Sequence, residues 1–288
     1  MEGLKRGSIT ITKKVDGWYM SVLVTVPDEV PQLPLTDVKG AKGVDLGINK
    51  LASLSDGSFA ENPRFATNKA TRRRQRIRQR QVSRKVKGSR NRVKAMVEVS
   101  KLHRKVSQKR DAYLWKVANQ AHRKVDAVVV EDLNIRGMKA KCKPKKCEET
   151  GRVLPNGQSA KRGLNRAIAD ASWGALVEKI EWIGLKTGHP VIKVAPQYSS
   201  QECRQCARVS KLNRGGEKFV CEECGHVDHA DTQASRTILE RAGFVFARNK
   251  SKTLPGDSRK VTPVRNEPAL YCGRRVRGRN LVNEDIRA

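Results

Sequence analysis

Four cysteines form the clearest chemical signal in the sequence. They fall into two Cys-x-x-Cys pairs, Cys203 with Cys206 and Cys221 with Cys224, separated by fourteen residues. Each pair places two thiolates on one tight turn, and two such turns can close a tetrahedral four-sulfur site around Zn²⁺. A redox dithiol is the alternative, but redox motifs of this kind come singly beside a βαβ pattern. Because four sulfurs leave no position for water, the predicted Zn²⁺ is structural.

Three acidic residues lie where ordered elements begin or end. Asp45 is in a short apolar strand, Glu131 follows a β-branched run, and Asp231 is near the start of a predicted helix. Mg²⁺ prefers oxygen ligands and keeps several waters, so such carboxylates suit a two-metal site for phosphodiester hydrolysis. In this hypothesis Asp45 and Asp231 hold the ions and Glu131 completes the site.

Two of these acids also have purely structural interpretations. Asp45 could be hydrogen-bonded at a strand end, since burial of an unpaired charge is unfavourable. Asp231 could serve only the helix dipole, with Asp228 as the N-cap of the helix. The spacing of the residues leaves both interpretations open.

The charge of the chain indicates a polyanionic partner. Lys and Arg number 60 against 29 acidic residues in 288, which gives a formal net charge of +31. Nucleic acid is the expected partner. A membrane surface is disfavoured, because the sequence has no apolar run of about 18 residues and no secretory signal at its start.

The strongest basic segment runs from residue 69 to residue 124, where only Glu98 and Asp111 are acidic. An apolar stripe of helical period from Ala95 to Val117, and a break at Gly88, predict two helices that dock by one face. With only two acids, this segment cannot form the ion pairs that usually stabilise a charged, solvent-exposed helix. We therefore expect its basic residues to contact phosphates. The predicted nucleic-acid-binding residues are Arg72, Arg73, Arg74, Arg76, Arg78, Arg80, Arg84, Lys85, Lys87, Arg90 and Arg92.

The remaining periodicity predicts a mixed α/β protein. A hairpin with an Asp-Gly turn is expected over residues 8–26, and an irregular loop over 136–162. Strands are expected at 43–49, 125–130 and 191–195, and helices at 164–186 and 232–239.

Several motifs in this order resemble the TnpB (OrfB) proteins of small insertion sequences, which are related to type V CRISPR effector nucleases. The motifs are GVDLGINKLASLSDG, RRRQRIRQRQVSRKVKGSRNR, VVVEDLNIRGM, ASWGALVEKIEWIG, YSSQECRQC and FVCEECGHVDHADTQAS. The resemblance implies an RNase H-like (RuvC-like) mixed sheet with a helical insertion, a zinc-ribbon insert and a residual amino-terminal β-hairpin. It places the nuclease acids on Asp45, Glu131 and Asp231. The chain departs from the family pattern at Ala207, where Gly is usual, and at Gln233, where Asn is usual.

The resemblance also implies a division of the chain. Residues 1–40 are expected to be a residual wedge-type hairpin and linker, without most of the family's amino-terminal region. The nuclease domain is expected over 41–199, with its basic insertion at about 68–124, followed by the zinc ribbon at 200–226. The final nuclease helix is expected at 227–245, and a basic disordered tail at 246–288.

The expected function is that of a Mg²⁺-dependent DNA endonuclease guided by RNA and linked to transposition. DNA and a guide RNA are the expected partners, together with a transposon-encoded transposase, in the cytoplasm of a prokaryote at the nucleoid. Two alternatives remain open. One is a catalytically inactive binding relative, and the other is a transposase that joins strands itself.

Overall fold

The computed structural model describes residues 5–14, 17–25, 30–148 and 150–244. Strands and helices alternate along the chain, and short 3₁₀ turns lie at Leu35–Asp37 and Lys211–Asn213. The first half contains β1 (Lys5–Lys14), β2 (Gly17–Thr25), β3 (Ala41–Leu46), β4 (Lys50–Leu54), β5 (Phe59–Glu61), α1 (Lys69–Ser83), α2 (Arg90–His122) and β6 (Ala127–Glu131). The second half contains α3 (Ile135–Met138), β7 (Lys145–Lys146), β8 (Val153–Leu154), α4 (Gln158–Ala171), α5 (Trp173–Thr187), β9 (Val191–Val194), β10 (Arg214–Gly215), β11 (Lys218–Val220), β12 (Val227–His229) and α6 (Ala230–Arg241).

Five strands form the central sheet, in the order β5-β4-β3-β6-β9. The first three strands are antiparallel to one another, whereas β3, β6 and β9 are parallel. This confirms the predicted mixed α/β class. Because the carboxyl ends of parallel strands meet at one edge, residues that follow β3 and β6 are brought together there.

Helices cover both faces of this sheet. On one face Val128 and Val130 pack with residues of α2, α4 and α5, among them Leu176 and Ile180. On the other face Val129 packs with Ile238 and Leu239 of α6. The β-branched run of β6 is therefore buried on both faces, as expected for a central parallel strand.

The basic segment forms two helices, as predicted. Asn68 caps α1 and Ser89 caps α2, each accepting a hydrogen bond from a backbone N–H at the start of its helix. No residue of α1 is buried, and the buried residues of α2 all belong to its last third, from Leu114 onward. Full burial of the apolar stripe is therefore confined to the end of α2, and its earlier residues, such as Val99 and Leu102, are half-buried.

The predicted loop and the helix after it were partly wrong. Residues 136–162 contain most of α3, the β7–β8 hairpin and the start of α4. Gly163 and the lack of buried residues before Ile168 weaken the periodic signal of this helix. The predicted helix over 164–186 is in fact two helices, because Ser172 takes a left-handed conformation with φ of 53°.

The amino-terminal hairpin leaves its predicted apolar face exposed. Trp18, Met20 and Val24 are 54%, 50% and 43% exposed, whereas Tyr19 on the opposite face is buried. The guanidinium of Arg104 in α2 lies 5.7 Å from the centre of the Tyr19 ring. The hairpin thus contacts α2 through the face opposite to the apolar one.

Some expectations fall outside the described residues. They are the basic tail at 246–288, Asp16 of the hairpin turn, and the end of the hairpin at Val26. Within the described ranges no helix is long and apolar enough to cross a membrane.

The contact between α6 and β3 depends on one glycine. A Cβ atom added at Gly43 would lie 2.0 Å from the backbone oxygen of Ser235 and 3.0 Å from Leu239 Cβ. Real Cβ atoms do not approach backbone so closely, so only glycine lets the helix lie against this strand.

We expect Gly43→Ala to lower the free energy of unfolding by about 1–3 kcal/mol or more, because the helix must move away from the strand. Gly163→Ala is the matched control, since a Cβ there meets nothing within 4 Å and alanine is the better helix former. Urea unfolding of both variants would measure the difference. Equal stabilities would contradict the tight contact.

Candidate functional site

Asp45 and Glu131 lie side by side at the carboxyl edge of the sheet. Val44 of β3 pairs with Val130 of β6, so the next residue of each strand occupies the same edge. Asp45 is partly buried and Glu131 is buried. The two predicted acids are therefore brought together by parallel pairing alone.

Asp231 reaches the same edge from α6. The N-cap of this helix is His229, whose Nδ1 accepts from the backbone N–H of Asp231 at 3.3 Å. Asp228 instead lies in β12, and its Oδ2 accepts from Arg236 at 2.8 Å. The predicted N-cap role of Asp228 was wrong, because that carboxylate is held by the arginine and lies one residue before the cap.

The three carboxylates interact electrostatically. Burial, together with the negative charges of Glu131 and Asp231, raises the pKa of Asp45 from 3.8 to about 7. No described Lys or Arg forms an ion pair with Asp45. The negative charge of Asp45 is thus unfavourable in its surroundings, and a proton or a cation would relieve it.

Glu131 is held by a residue that the sequence did not single out. Burial raises the pKa of Glu131, while a hydrogen bond from Ser199 and the charge of Arg241 work against that shift. Ser199 Oγ donates to Glu131 Oε1 at 2.5 Å, and Ser199 is itself buried. The serine therefore fixes the orientation of the carboxylate and leaves its other oxygen without a protein partner among the described residues.

Asp231 is held by a second residue that sequence reasoning missed. Arg214 of β10 donates from Nη2 to Asp231 Oδ1 at 2.9 Å. The charge of Arg214 also opposes the rise in the pKa of Asp45. One guanidinium from the cysteine-containing segment thus balances two of the acids.

The four cysteines converge as predicted. Cys203 Sγ is 3.6 Å from Cys224 Sγ, and Cys206 Sγ is 3.5 Å from Cys221 Sγ. All four sulfurs lie within 4.8 Å of one another. In a tetrahedron with Zn–S bonds of about 2.3 Å, the sulfurs are roughly 3.8 Å apart. The arrangement therefore fits a metal ion held by four thiolates.

The two cysteine turns share one geometry. In each, the backbone N–H of the residue after the second cysteine donates to the carbonyl of the first, from Ala207 to Cys203 and from Gly225 to Cys221. Both donor residues have positive φ, 58° for Ala207 and 68° for Gly225. This explains why glycine suits the position and why Ala207 carries backbone strain there.

Gln233 joins the cysteine turns to α6. Its side chain is fully buried, its Nε2 donates to the Glu202 carbonyl at 3.1 Å, and its Oε1 lies 3.3 Å from His226 Nε2. Glu202 precedes the first cysteine pair and His226 follows the second. The glutamine thus fixes the cysteine segment, residues 203–229, to the helix that carries Asp231.

Most of the predicted basic residues are exposed on α1 and the start of α2. Arg92 differs, because its guanidinium donates to the Val82 and Lys85 carbonyls at 3.1 and 3.3 Å. It therefore closes the carboxyl end of α1. Arg78 lies 3.7 Å from Glu98. The others remain predicted contacts for nucleic acid.

The carboxylates are less closely gathered than the sulfurs. Among the described residues, only the four cysteines place three or more ligand atoms within 4.8 Å of one another. The ion pair with Arg214 holds Asp231, and the strands hold Asp45 and Glu131. The site thus has its oxygen donors at one edge without a closed coordination shell.

Two family models match the chain. A model described as a probable transposase, OrfB of the IS605 type, matches residues 21–141, and the Cas12f1-like TNB domain matches residues 173–238. A putative RNA-guided DNA endonuclease, InsQ of Escherichia coli K12, is 33% identical over 243 residues. The chain belongs to the TnpB (OrfB) family. This confirms the resemblance drawn from the sequence motifs.

The family relatives are longer than this chain. The InsQ alignment covers 83% of this chain and 58% of the relative. A putative RNA-guided DNA endonuclease of Streptomyces pristinaespiralis is 32% identical, over 83% of this chain and 53% of the relative. A solved complex of Cas12f1 with guide RNA and target DNA aligns with a TM-score of 0.43 and 17% identity, over 79% of this chain and 54% of that chain. The chain therefore spans a little over half the length of these proteins.

The raised pKa of Asp45 predicts a pH-dependent stability in the absence of Mg²⁺. Between about pH 4 and pH 7 the folded protein keeps a proton that the unfolded chain has lost, so wild-type stability falls as pH rises through this window. Asp45→Asn removes this dependence. We expect the stabilisation by Asp45→Asn to grow from pH 4 to pH 8 in urea unfolding at constant zinc. An effect that is the same at both pH values would contradict it.

Proposed function

We propose that this chain is a metal-dependent DNA endonuclease with an RNase H-like, RuvC-like catalytic domain. The observation that carries the proposal is the meeting of Asp45, Glu131 and Asp231 at one edge of the sheet, where burial and the neighbouring negative charges raise the pKa of Asp45. The strand order β5-β4-β3-β6-β9, with three antiparallel strands followed by two parallel ones, supports the RNase H-like assignment. Relatives named RNA-guided DNA endonucleases support a guide RNA and a DNA substrate.

The packing supports the proposed division into domains. Residues 41–199 and 227–245 would form one nuclease domain, because α6 lies against β3 through Gly43. Residues 200–226 would then be a zinc ribbon inserted between β9 and α6. Arg241 supports this path, since its guanidinium donates to the Ala195 and Gln197 carbonyls, both at 2.7 Å, where the chain leaves the sheet.

The carboxylate oxygens fit Mg²⁺ by their chemistry. Bound there, Mg²⁺ would activate a water and neutralise the leaving oxygen. Ser199 would keep one oxygen of Glu131 occupied and direct the other towards the site. Arg214, now paired with Asp231, is placed to contact a phosphate oxygen once the carboxylate has a metal partner.

Asp45→Ala, Glu131→Ala and Asp231→Ala should each abolish Mg²⁺-dependent DNA cutting while nucleic-acid binding persists. Each change removes oxygen ligands without removing a basic contact. Cleavage gels and anisotropy on the RNA that copurifies with the protein, together with its matched DNA target, would separate the two effects. If the wild-type protein binds DNA but cuts neither guided nor unguided DNA, the proposal is wrong and the chain is a nucleic-acid-binding protein without catalytic activity. Joined strands in place of cut ends would favour a transposase.

For the ribbon, we expect elemental analysis to give about one zinc per chain. Cys221→Ser should lose the zinc and lower the melting temperature, because the cysteine segment has only a small core around Phe219. Cys142→Ser is the matched control, as Cys142 lies outside the cluster. A folded wild-type protein without metal would refute the site.

A further inference from the structure

A cleft between α1, α2 and α4 is lined by arginines from these three helices. A cavity of about 470 Å³ is bordered by Arg72 and Arg76 of α1, Arg110 of α2 and Arg166 of α4, with Gln75 and Gln79 also on its wall. A second cavity shares Arg72 and Arg166 with the first and adds Arg64. We call these two adjoining cavities the arginine cleft.

The inner face of α1 is made of hydrogen-bond donors. Arg72, Gln75, Arg76 and Gln79 are spaced 0, 3, 4 and 7 residues apart, so they share one face of the helix. A helix that packs on a protein core normally presents apolar residues at these positions. No residue of α1 is buried, so apolar packing does not hold this face. Its composition suits an anion between α1 and α4.

The single acid that lines the first cavity is already satisfied. Asp170 accepts from the backbone N–H of Thr67 at 2.8 Å, from its hydroxyl at 2.6 Å and from Arg110 Nη2 at 2.9 Å. Burial works to raise the pKa of Asp170, but the hydrogen bonds from Thr67, Ala66 and Arg110 outweigh it and hold that pKa low. Asp170 therefore balances Arg110 and leaves no charge for the other arginines.

Several donors in the cleft lack a protein acceptor. Within the described residues, the side chains of Arg72, Arg76 and Arg166 make no hydrogen bond or ion pair. The Nε of Arg110 is buried and also has no partner. Buried donors are nearly always satisfied in folded proteins, so an acceptor from outside the chain is expected at Arg110 Nε. The exposed guanidinium groups of Arg76 and Arg166 are open to the same ligand.

The second cavity lies beside the turn that follows the strand of Asp45. It is also bordered by Ile48 and Asn62, and Asn62 Nδ2 donates to the Ile48 carbonyl at 2.7 Å. Ile48 lies three residues after Asp45, in the turn between β3 and β4. The cleft thus opens beside the edge of the sheet where the acids lie.

We propose that the arginine cleft binds consecutive backbone phosphates of one nucleic-acid strand that runs towards the carboxylates. Guanidinium groups recognise phosphate oxygens in pairs, and the amides of Gln75 and Gln79 add neutral donors. Because the ligand is the phosphodiester backbone, RNA and DNA are both possible occupants. This inference rests on the proposed nuclease function for the direction of the strand, but not for binding itself.

The test compares two charge-matched double variants in the full chain carrying Asp45→Asn, so that no cleavage is needed. Arg76→Gln with Arg166→Gln changes the cleft, and Lys105→Gln with Lys109→Gln changes α2 outside it. Anisotropy with labelled single-stranded RNA and DNA of one sequence should show roughly tenfold weaker binding for the cleft variant. The slope of log affinity against log salt should fall by about 1. The lysine variant should lose less than about threefold.

A neutral methylphosphonate linkage, moved along the strand, gives a second measurement. In the protein with an intact cleft, the neutral linkage should weaken binding when it stands at one or two positions of the strand. In the cleft variant, binding should no longer depend on the position of the linkage. Gln79→Glu, which puts a negative charge into the cleft on an exposed helix, should weaken binding similarly without unfolding the protein.

Equal losses for the two double variants would overturn the inference and leave only diffuse charge. A loss confined to RNA or to DNA would support it and identify the strand. A third outcome separates the two proposals. If the wild-type protein never cuts DNA but the cleft variant binds nucleic acid more weakly than the lysine variant, the proposed function is wrong and the proposed cleft is supported.

Discussion

The close contact between α6 and β3 is the constraint on which the rest of the site depends. Asp45 and Glu131 are placed by neighbouring parallel strands, but Asp231 belongs to a helix much later in the chain, α6. Only the missing side chain at Gly43 lets that helix come within reach of the strand. The cysteine segment immediately precedes the helix and is tied to it by Gln233. A metal ion held by the cysteines would therefore stabilise the position of Asp231.

Bringing three carboxylates together creates an electrostatic conflict. Burial and the neighbouring acids raise the pKa of Asp45 to about 7, so one proton or cation is needed to relieve the site near neutral pH. The protein offsets part of this repulsion with Arg214 and with the hydrogen bond from Ser199 to Glu131. Neither Arg214 nor Ser199 forms a hydrogen bond or ion pair with Asp45 itself. The remaining imbalance is the property that a divalent cation would satisfy.

The sequence was informative where function depends on local patterns. Cysteine spacing, strand ends and helical periodicity placed the four thiols and the three acids on the correct elements, since these signals involve neighbouring residues. Arg214 and Ser199 could not be found in this way, because their partners are distant in the sequence. Ser199 lies 68 residues from Glu131, and Arg214 lies in β10, 17 residues before Asp231. The break at Ser172 was missed because neither glycine nor proline marks it. There Trp173 is buried and donates from Nε1 to the Gly47 carbonyl, a tertiary contact without a local signature.

The distribution of ion pairs also affects the basic helix α1. Three acids have arginine partners outside α1: Asp170 has Arg110, Asp228 has Arg236 and Glu202 has Arg241. Pairing of this kind keeps the acids from neutralising the arginines of α1, most of which carry no partner among the described residues. A helix with so much unbalanced charge and no buried side chain is unfavourable in isolation, because its like charges repel. A polyanion bound between α1 and α4 would reduce that repulsion, which is the physical reason to expect a ligand beside this helix.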